Sequence, residues 1–154
     1  MQQRRVNVRG IIYIDGKLFC QQLTLGKDGA KRDYWCTPGG GMDLGESLET
    51  ALRREMIEET GVAPQIGRLL FIQQFSDSNS QRESEQLEFF FHIVNPEDYE
   101  NIDLSSTTHG ELEIANCGFV DPKTDRVLPE FLGEIDIQSY VDEIKPVYLY
   151  SDLK

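Results

Sequence analysis

Three glutamates, Glu55, Glu58 and Glu59, stand at spacings that a helix would bring to one face. At about 100° per residue, positions i, i+3 and i+4 fall within about 100° of one another. Carboxylates gathered in this way repel one another, and their pKa values rise unless a cation neutralises them. Carboxylate oxygens suit Mg²⁺ or Mn²⁺, which keep bound water and also take phosphate oxygens. The spacing therefore indicates a divalent-metal site suited to phosphate chemistry.

The helix that must position these acids is predicted from its two ends. Ser47 is a suitable N-cap, residues 47–60 contain neither Gly nor Pro, and Gly61 is typical of a helix C-terminus. Leu48 and Leu52 fall in the same sector as the acids, which therefore extend the apolar stripe rather than oppose it. The alternative, on spacing alone, is a solvated helix whose Glu–Arg pairs contribute about 0–1 kcal/mol each.

Strands and loops are predicted on either side of this helix. Alternating residues at 6–14 and 18–20, separated by the turn pair Asp15-Gly16, predict an N-terminal hairpin. Later apolar runs predict strands at residues 69–72, 87–94 and 114–120, a turn of helix near Pro96, and a short helix at residues 129–132. The order of strands, helix, strands and short helix indicates a mixed α/β layered domain.

The segment at residues 40–62 resembles the signature of the Nudix hydrolase family, G-x5-E-x7-R-E-U-x-E-E-x-G-U, where U is aliphatic. Its nine defined positions are filled by Gly40, Glu46, Arg54, Glu55, Met56, Glu58, Glu59, Gly61 and Val62. The aromatic strand before Pro38 and the later strand pair also stand where the family has such elements. The resemblance extends over residues 4 to about 133.

This resemblance implies an α/β/α sandwich with a mixed β-sheet between helices, and hydrolysis of a nucleoside diphosphate linked to another moiety. It implies Mg²⁺ or Mn²⁺ as the cofactor. By position, the implied metal ligands are Glu55, Glu58, Glu59 and the main-chain carbonyl of Gly39. Nudix-fold proteins that only sense nucleotides usually lack some of the signature acids. This chain has all of them, which favours an enzyme; the alternative is a catalytically silent nucleotide-sensing module.

Further roles also follow from the resemblance. Arg54 would orient a neighbouring glutamate, Glu46 would belong to the same support, and Gly39 and Gly40 would shape the loop. Glu58, Glu59 and Arg54 are thus the catalytic candidates within the signature.

The identity of the general base is open, because the family uses either a signature glutamate or a residue of a later loop. His109, Glu111 and Glu113 stand in such a loop, and Glu111 is our candidate. The alternative is that all three are solvated loop residues. Glu88 is a further possible metal ligand.

Candidate substrate contacts are Arg9, Phe75 and Arg82, which could meet phosphate or base. Gln21 and Gln22 stand where many relatives place arginine, which weakens the case for a phosphate contact from that strand. Neither Pro nor Tyr stands about 15–18 residues past the signature, where relatives acting on ADP-ribose or dinucleoside polyphosphates tend to carry one. The sequence therefore favours neither of those two substrates.

The net charge of the chain argues against nucleic acid as a partner. Lys and Arg number 15 against 27 Asp and Glu, a formal charge of −12. Such a surface repels nucleic-acid backbones, so the expected partner is a small nucleotide-type substrate. A bound cation would reverse the charge locally and admit an anion.

We interpret the chain as one domain, residues 1–154, with a core at about 4–133 and a C-terminal extension at about 134–154. No apolar run reaches the length of about 20 residues that a membrane helix needs. Three widely spaced cysteines without a CxxC pair favour free thiols and a cytoplasmic location. The family often dimerises, so a homodimer is an open expectation.

Overall fold

The computed structural model describes residues 3–25, 30–77, 84–108, 113–142 and 145–153. These residues form two β-sheets, a long helix α1 at Leu48–Thr60 and a short helix α2 at Ile137–Asp142. The strands are β1 (Gln3–Ile11), β2 (Tyr13–Ile14), β3 (Lys17–Leu25), β4 (Ala30–Lys31), β5 (Trp35–Cys36), β6 (Gly39–Gly41), β7 (Ile66–Asp77), β8 (Ser84–Ile93), β9 (Ile114–Val120), β10 (Val127–Leu128) and β11 (Tyr148–Ser151). The predicted mixed α/β class is confirmed.

The five-stranded sheet has the order β11-β7-β8-β1-β6 and mixes parallel with antiparallel pairs. β1 runs parallel to β8, with Val8 opposite Phe89, and antiparallel to β6, with Arg9 opposite Gly39. Side chains alternate between the two faces of a strand. Arg9 and Glu88 therefore project from one face of this sheet, and Val8 and Phe89 from the other.

The second sheet is built around β3, which pairs with β2, β4, β5 and β9. The predicted turn is confirmed, since Asp15 and Gly16 have φ values of 49° and 80° and join β2 to β3. The predicted hairpin is too long, however, because only the two residues of β2 pair with β3 while β1 belongs to the other sheet. Alternation at residues 6–14 does not reveal a change of sheet near Ile12, since the periodicity continues across it.

Both predicted ends of α1 are confirmed. The Ser47 hydroxyl accepts a hydrogen bond from the Thr50 N–H at 3.1 Å. At the other end Gly61 has a φ of 75°, and its N–H donates to the Ile57 carbonyl at 2.9 Å. This left-handed conformation favours glycine because it lacks a Cβ. The two caps fix which side chains of α1 meet the sheet.

Two apolar clusters lie against the five-stranded sheet, one on each face. The first joins α1 to the sheet and includes Val8, Ala51, Leu52, Met56 and Phe91. Helix α1 can approach β1 closely because residue 10 is a glycine. A Cβ at Gly10 would lie 2.9 Å from the Met56 sulfur. The second cluster contains Phe71, Phe90 and Phe131, and Trp35 packs against it. The candidate site lies where the loop before α1 crosses between these clusters.

The later elements are present with different lengths. β7 and β8 are longer than the predicted strands, whereas β9 has the predicted bounds. The predicted turn near Pro96 and the short helix at residues 129–132 are 3-10 helices, at Pro96–Tyr99 and Glu130–Gly133. No helix within the described residues is long and apolar enough to cross a membrane.

Candidate active site

Arg54 donates hydrogen bonds to three carboxylates beside α1, and we call Arg54 with Glu46, Glu55 and Glu58 the Arg54 cluster. The exposed Asp43 lies farther away, with its Oδ2 3.7 Å from Arg54 Nη2. Arg54 Nε donates to Glu46 Oε1 at 3.0 Å, and Arg54 Nη1 donates to Glu55 Oε1 at 2.9 Å and to Glu58 Oε2 at 3.4 Å. Nη2 donates to the Gly41 carbonyl at 3.1 Å. Burial lowers the pKa of Arg54, but the bonds to Glu46 and Glu55 outweigh it, so the pKa is raised. One permanent cation thus holds both the loop and the helix acids.

The glycines before α1 allow the loop to lie against these acids. A Cβ at Gly40 would lie 2.7 Å from Glu55 Oε2, in the space that the carboxylate occupies. Gly39 has a φ of 133°, and a Cβ there would lie 2.0 Å from the Val8 carbonyl oxygen. Contacts this short cannot accommodate a side chain without movement of the backbone or the acid.

Glu59 lies apart from the Arg54 cluster, in a more buried environment. It is 8% exposed, and its Oε2 accepts hydrogen bonds from the Gly39 N–H at 3.0 Å and from Gln21 Nε2 at 3.1 Å. Burial raises the pKa of Glu59 to about 7, against the lowering effect of these two bonds and of the Arg9 charge. The sequence predicted a raised pKa from repulsion between the clustered acids, but Glu55 is the smallest contributor and burial is the first.

Arg9 and Glu88 form a second ion pair on the far face of the five-stranded sheet. Arg9 Nε donates to Glu88 Oε2 at 2.9 Å, and Glu88 is 6% exposed. Arg9 Nη1 donates to the carbonyls of Thr37 and Gly39, each at 3.2 Å. Burial lowers the pKa of Arg9, but the charge of Glu88, its hydrogen bond and the nearby Cys36 and Glu59 together raise it by more.

The peptide groups on either side of Gly39 link Glu59 to the Arg9–Glu88 ion pair. The Gly39 N–H donates to Glu59, and the Gly39 carbonyl accepts from Arg9, which is paired with Glu88. The predicted ligand carbonyl of Gly39 therefore lies between the helix acids and the sheet arginine.

The donor chemistry of α1 fits a hard divalent cation. Glu55, Glu58 and Glu59 supply carboxylate oxygens from one side of the helix, the type of ligand that Mg²⁺ and Mn²⁺ prefer. Within the described residues, no three His, Cys, Asp or Glu side chains are already arranged to hold a metal ion. Arg54 occupies oxygens of Glu55 and Glu58 instead. The three glutamates therefore provide the type of ligand that such an ion prefers. Their carboxylates would have to rotate away from Arg54 to bind it.

The predicted substrate contacts and the residues of the later loop fall into three groups. Arg9 and Phe75 line one cavity of about 450 Å³. Arg82, His109 and Glu111 lie outside the described residues, so their roles stay predictions. Glu113 is described and exposed, beside the start of β9.

Gln21 is a site residue that the sequence did not reveal. It is 1% exposed, and its amide donates to the buried Glu59. The sequence offered two signals: Gln21 stands where many relatives place arginine, and it is a polar residue inside an apolar strand, following Phe19 and Cys20. A buried amide requires hydrogen-bond partners, so a polar residue at such a position indicates a polar group packed against the strand.

The family model of the NUDIX domain matches residues 3–125 of this chain. Among curated proteins, the chain is similar to an ADP-ribose pyrophosphatase of Methanocaldococcus jannaschii, with 30% identity over 92 residues. The alignment covers 60% of this chain and 53% of that protein, so the chain spans about half the length of this curated relative.

Solved structures share the fold at lower sequence identity. The solution structure of the E. coli ORF135 protein is similar, with a TM-score of 0.67 and 21% identity over 94% of this chain and 96% of that chain. A crystal structure of a UDP-X diphosphatase has a TM-score of 0.62 and 19% identity over 96% of this chain and 67% of that chain. Both likenesses concern the fold, and the family match covers the Arg54 cluster, Glu59 and Gly39.

Proposed function

Because this chain belongs to the NUDIX domain family, we propose that it is a metal-dependent pyrophosphohydrolase. Its substrate is a nucleoside diphosphate linked to another moiety, and its cofactor is Mg²⁺ or Mn²⁺. The main support is the arrangement of the signature acids: Arg54 binds Glu46, Glu55 and Glu58, while Glu59 lies against the Gly39 peptide. These side chains place carboxylate oxygens next to the glycine loop at residues 39–41.

In this proposal Glu55, Glu58, Glu59 and the Gly39 carbonyl hold the cation. A bound divalent ion would neutralise phosphate oxygens and lower the pKa of the attacking water. Arg54 restrains the carboxylates of Glu55 and Glu58 before any ligand arrives. Arg9 restrains the Gly39 carbonyl, and Gln21 restrains Glu59.

The reaction is a hydrolysis at one phosphorus of a P–O–P bridge. The water oxygen forms a new P–O bond, the bond to the bridging oxygen breaks, and the bridging oxygen leaves on the other phosphate. The proton of the attacking water passes to a base, for which Glu111 is our candidate. The protein contributes position and proton acceptance, and these are the main requirements of phosphoryl transfer.

The substrate is proposed only as a class. The printed names of the relatives refer to ADP-ribose and to UDP linked to a variable group. Both share a nucleoside diphosphate, which is the class proposed here. We further propose a cytoplasmic site of action, supported by the free thiols of Cys20, Cys36 and Cys117. A homodimer stays a prediction.

The test is a hydrolysis screen with Mg²⁺ or Mn²⁺ against nucleoside triphosphates, ADP-ribose, nucleotide sugars, dinucleoside polyphosphates and coenzyme derivatives. Glu59→Gln is the variant, and Glu49→Gln is the matched control because Glu49 is exposed on the first turn of α1. We expect wild type and Glu49→Gln to turn over one class, with at least about a hundredfold loss in Glu59→Gln.

Two other outcomes would contradict the proposal. Turnover that survives in Glu59→Gln would show that Glu59 is not an essential ligand. No turnover of any compound, together with tight nucleotide binding, would identify a sensor rather than an enzyme.

A further inference from the structure

The Gly39 carbonyl differs from the other proposed metal ligands because it belongs to the backbone. Gly39 lies in β6, opposite Arg9 of β1, and a Cβ at Gly39 would lie 2.0 Å from the Val8 carbonyl oxygen. The strand is therefore packed tightly against β1, and its peptide groups cannot turn as carboxylates can. Any cation that binds this carbonyl must do so beside the groups that already contact it.

Arg9 is such a group. Its Nη1 donates to the Gly39 and Thr37 carbonyls, each at 3.2 Å, and its Nε donates to Glu88 Oε2 at 2.9 Å. A peptide oxygen has two lone pairs and can bind a second partner. A guanidinium and a divalent cation on the same oxygen would repel each other, because both are positively charged. Arg9 therefore opposes a cation at the Gly39 carbonyl.

The charge of Arg9 also acts on Glu59. The Gly39 N–H donates to Glu59 Oε2 at 3.0 Å, so one residue links Arg9 with a second proposed ligand. The Arg9 charge lowers the pKa of Glu59, and Glu59 contributes to the raised pKa of Arg9. Arg9 thus offsets part of the negative charge that would attract a metal ion to Glu59.

Arg9 is held in place more firmly than Arg54 is. Arg54 pairs with two helix acids whose side chains are 17% and 27% exposed. The side chain of Glu88, which holds Arg9, is only 8% exposed, and separating a buried ion pair is costly. We therefore expect Arg9 to stay beside the glycine loop when the helix acids turn away from Arg54.

Arg9 also has a donor available for an anion. Its Nη2 has no hydrogen-bond partner among the described residues, and its side chain lines the cavity of about 450 Å³. Guanidinium N–H groups form strong, charge-assisted hydrogen bonds with phosphate oxygens. A diphosphate can therefore use the charge that a metal ion has to overcome.

We propose that Arg9 is a resident cation of the candidate active site, which weakens divalent-metal binding at Gly39 and binds the diphosphate of the substrate without a metal. The substrate then does not have to arrive as a metal complex. This assignment rests on the proposed function for the identity of the two ligands. Arg9 binds and positions, and it transfers no proton.

A charge-neutral double variant tests the effect on the metal. Arg9→Met/Glu88→Met removes one cation and one anion, so the net charge of the chain stays the same. We expect this variant to bind Mn²⁺ about tenfold more tightly than wild type, because the cation beside Gly39 is gone. Binding of Mn²⁺ alone is followed by EPR at physiological ionic strength, which screens attraction to the acidic surface.

The same variant should bind a diphosphate more weakly. ADP is titrated with EDTA present and followed by NMR, and we expect about a fivefold loss of affinity relative to wild type. Damage to the fold would weaken the binding of both ligands. Opposite changes in the two affinities therefore distinguish the proposed role of Arg9 from a structural one.

Arg4→Met/Glu85→Met is the matched control. Arg4 and Glu85 also join β1 to β8, with Arg4 Nη2 2.8 Å from Glu85 Oε2, but their side chains are 63% and 42% exposed. Arg4 is five positions from Arg9 along β1, so it projects from the opposite face of the sheet. Removing this pair should leave both affinities unchanged.

A third substitution identifies the metal site. Glu59→Gln, added to Arg9→Met/Glu88→Met, should reverse the gain in Mn²⁺ affinity because it removes a proposed ligand. The proposal is overturned if Arg9→Met/Glu88→Met binds Mn²⁺ no more tightly than wild type, or if it binds ADP no more weakly. Neither measurement requires turnover, so a failed hydrolysis screen contradicts the proposed enzyme and leaves these affinities to decide the role of Arg9.

Discussion

Two arginines organise acids in this molecule, and they do so over very different separations along the chain. Arg54 bonds to groups at most 13 positions away, all within or beside the signature. Arg9 bonds to Glu88 across 79 positions and to the Thr37 and Gly39 carbonyls across 28 and 30. The first group forms from local sequence, whereas the second exists only once the sheet has formed.

The two groups also differ in burial. The acids of the Arg54 cluster remain 15–27% exposed, whereas the Glu88 side chain is 8% exposed. Ion pairs that keep some access to solvent contribute less to stability than buried pairs and can exchange partners at lower cost. A buried charge that loses its partner is strongly destabilising. The Arg54 cluster is thus suited to receiving a ligand, and the Arg9–Glu88 pair to holding the sheet and the loop.

Arg9→Met should give the largest loss of stability. It leaves the Glu88 carboxylate buried without its cation, which costs about 3–5 kcal/mol of unfolding free energy. Urea denaturation measures this change. The double variant Arg9→Met/Glu88→Met should recover most of the loss because no unpaired charge remains. A single variant as stable as wild type would contradict the structural role of the pair.

Arg54→Met should give the opposite pattern. Removing the cation leaves Glu46, Glu55 and Glu58 able to reach solvent, so the unfolding free energy should fall by only about 1 kcal/mol. Turnover of the substrate found in the screen should fall about a hundredfold, since the acids lose their restraint. If Arg54→Met loses several kcal/mol of stability while keeping its turnover, the contrast between the two arginines is wrong.

Gly40→Ala tests how closely the loop must approach the Arg54 cluster. The new methyl group would displace the Glu55 carboxylate, whose oxygen lies 2.7 Å from the Cβ position. A displaced side-chain tip costs little stability, but we expect about a tenfold loss of kcat/KM. Gly118→Ala is the matched control, because a Cβ there has no neighbour within 4 Å. Equal kcat/KM in the two variants would show that the approach of Gly40 is unimportant.

The sequence could predict α1 and the grouping of Glu55, Glu58 and Glu59 because these depend on short-range geometry. Helix periodicity and the caps at Ser47 and Gly61 act within a few residues. The same locality explains why the tight turn at Asp15-Gly16 was predicted correctly while the hairpin around it was too long.

The other half of the candidate site depends on strand order. Arg9 meets Glu88 because β1 lies parallel to β8, and Gln21 meets Glu59 because β3 packs near α1. A shift of one residue in strand register would turn each side chain to the other face. No short motif encodes such a register, so the sequence could suggest Arg9 for the substrate but could not show that its Nε and Nη1 bond to groups within the protein.

His92 provides the smallest test of the contrast between the two arginines. It is a half-buried basic group on the same strand as Glu88, and among the described residues it has no ion pair like that of Arg9. Burial lowers its pKa, the charge of Arg68 lowers it further, and Asp142 opposes both. The unfolded chain, with a His pKa of about 6.5, therefore binds more protons than the folded chain as the pH falls through that value. The contribution of His92 to stability should be complete above about pH 6.5 and decrease below it.

The effect is isolated by comparing wild type with His92→Gln in urea at pH 7.5 and pH 5.5. The raised pKa of Glu59, about 7, changes the stability of both proteins alike and cancels in the difference. Wild type should lose more stability than His92→Gln on acidification, by less than about 1 kcal/mol because the ring is half-exposed and its charge is screened. If wild type instead gains stability relative to His92→Gln, protonated His92 has an acidic partner, and the contrast between His92 and Arg9 is wrong.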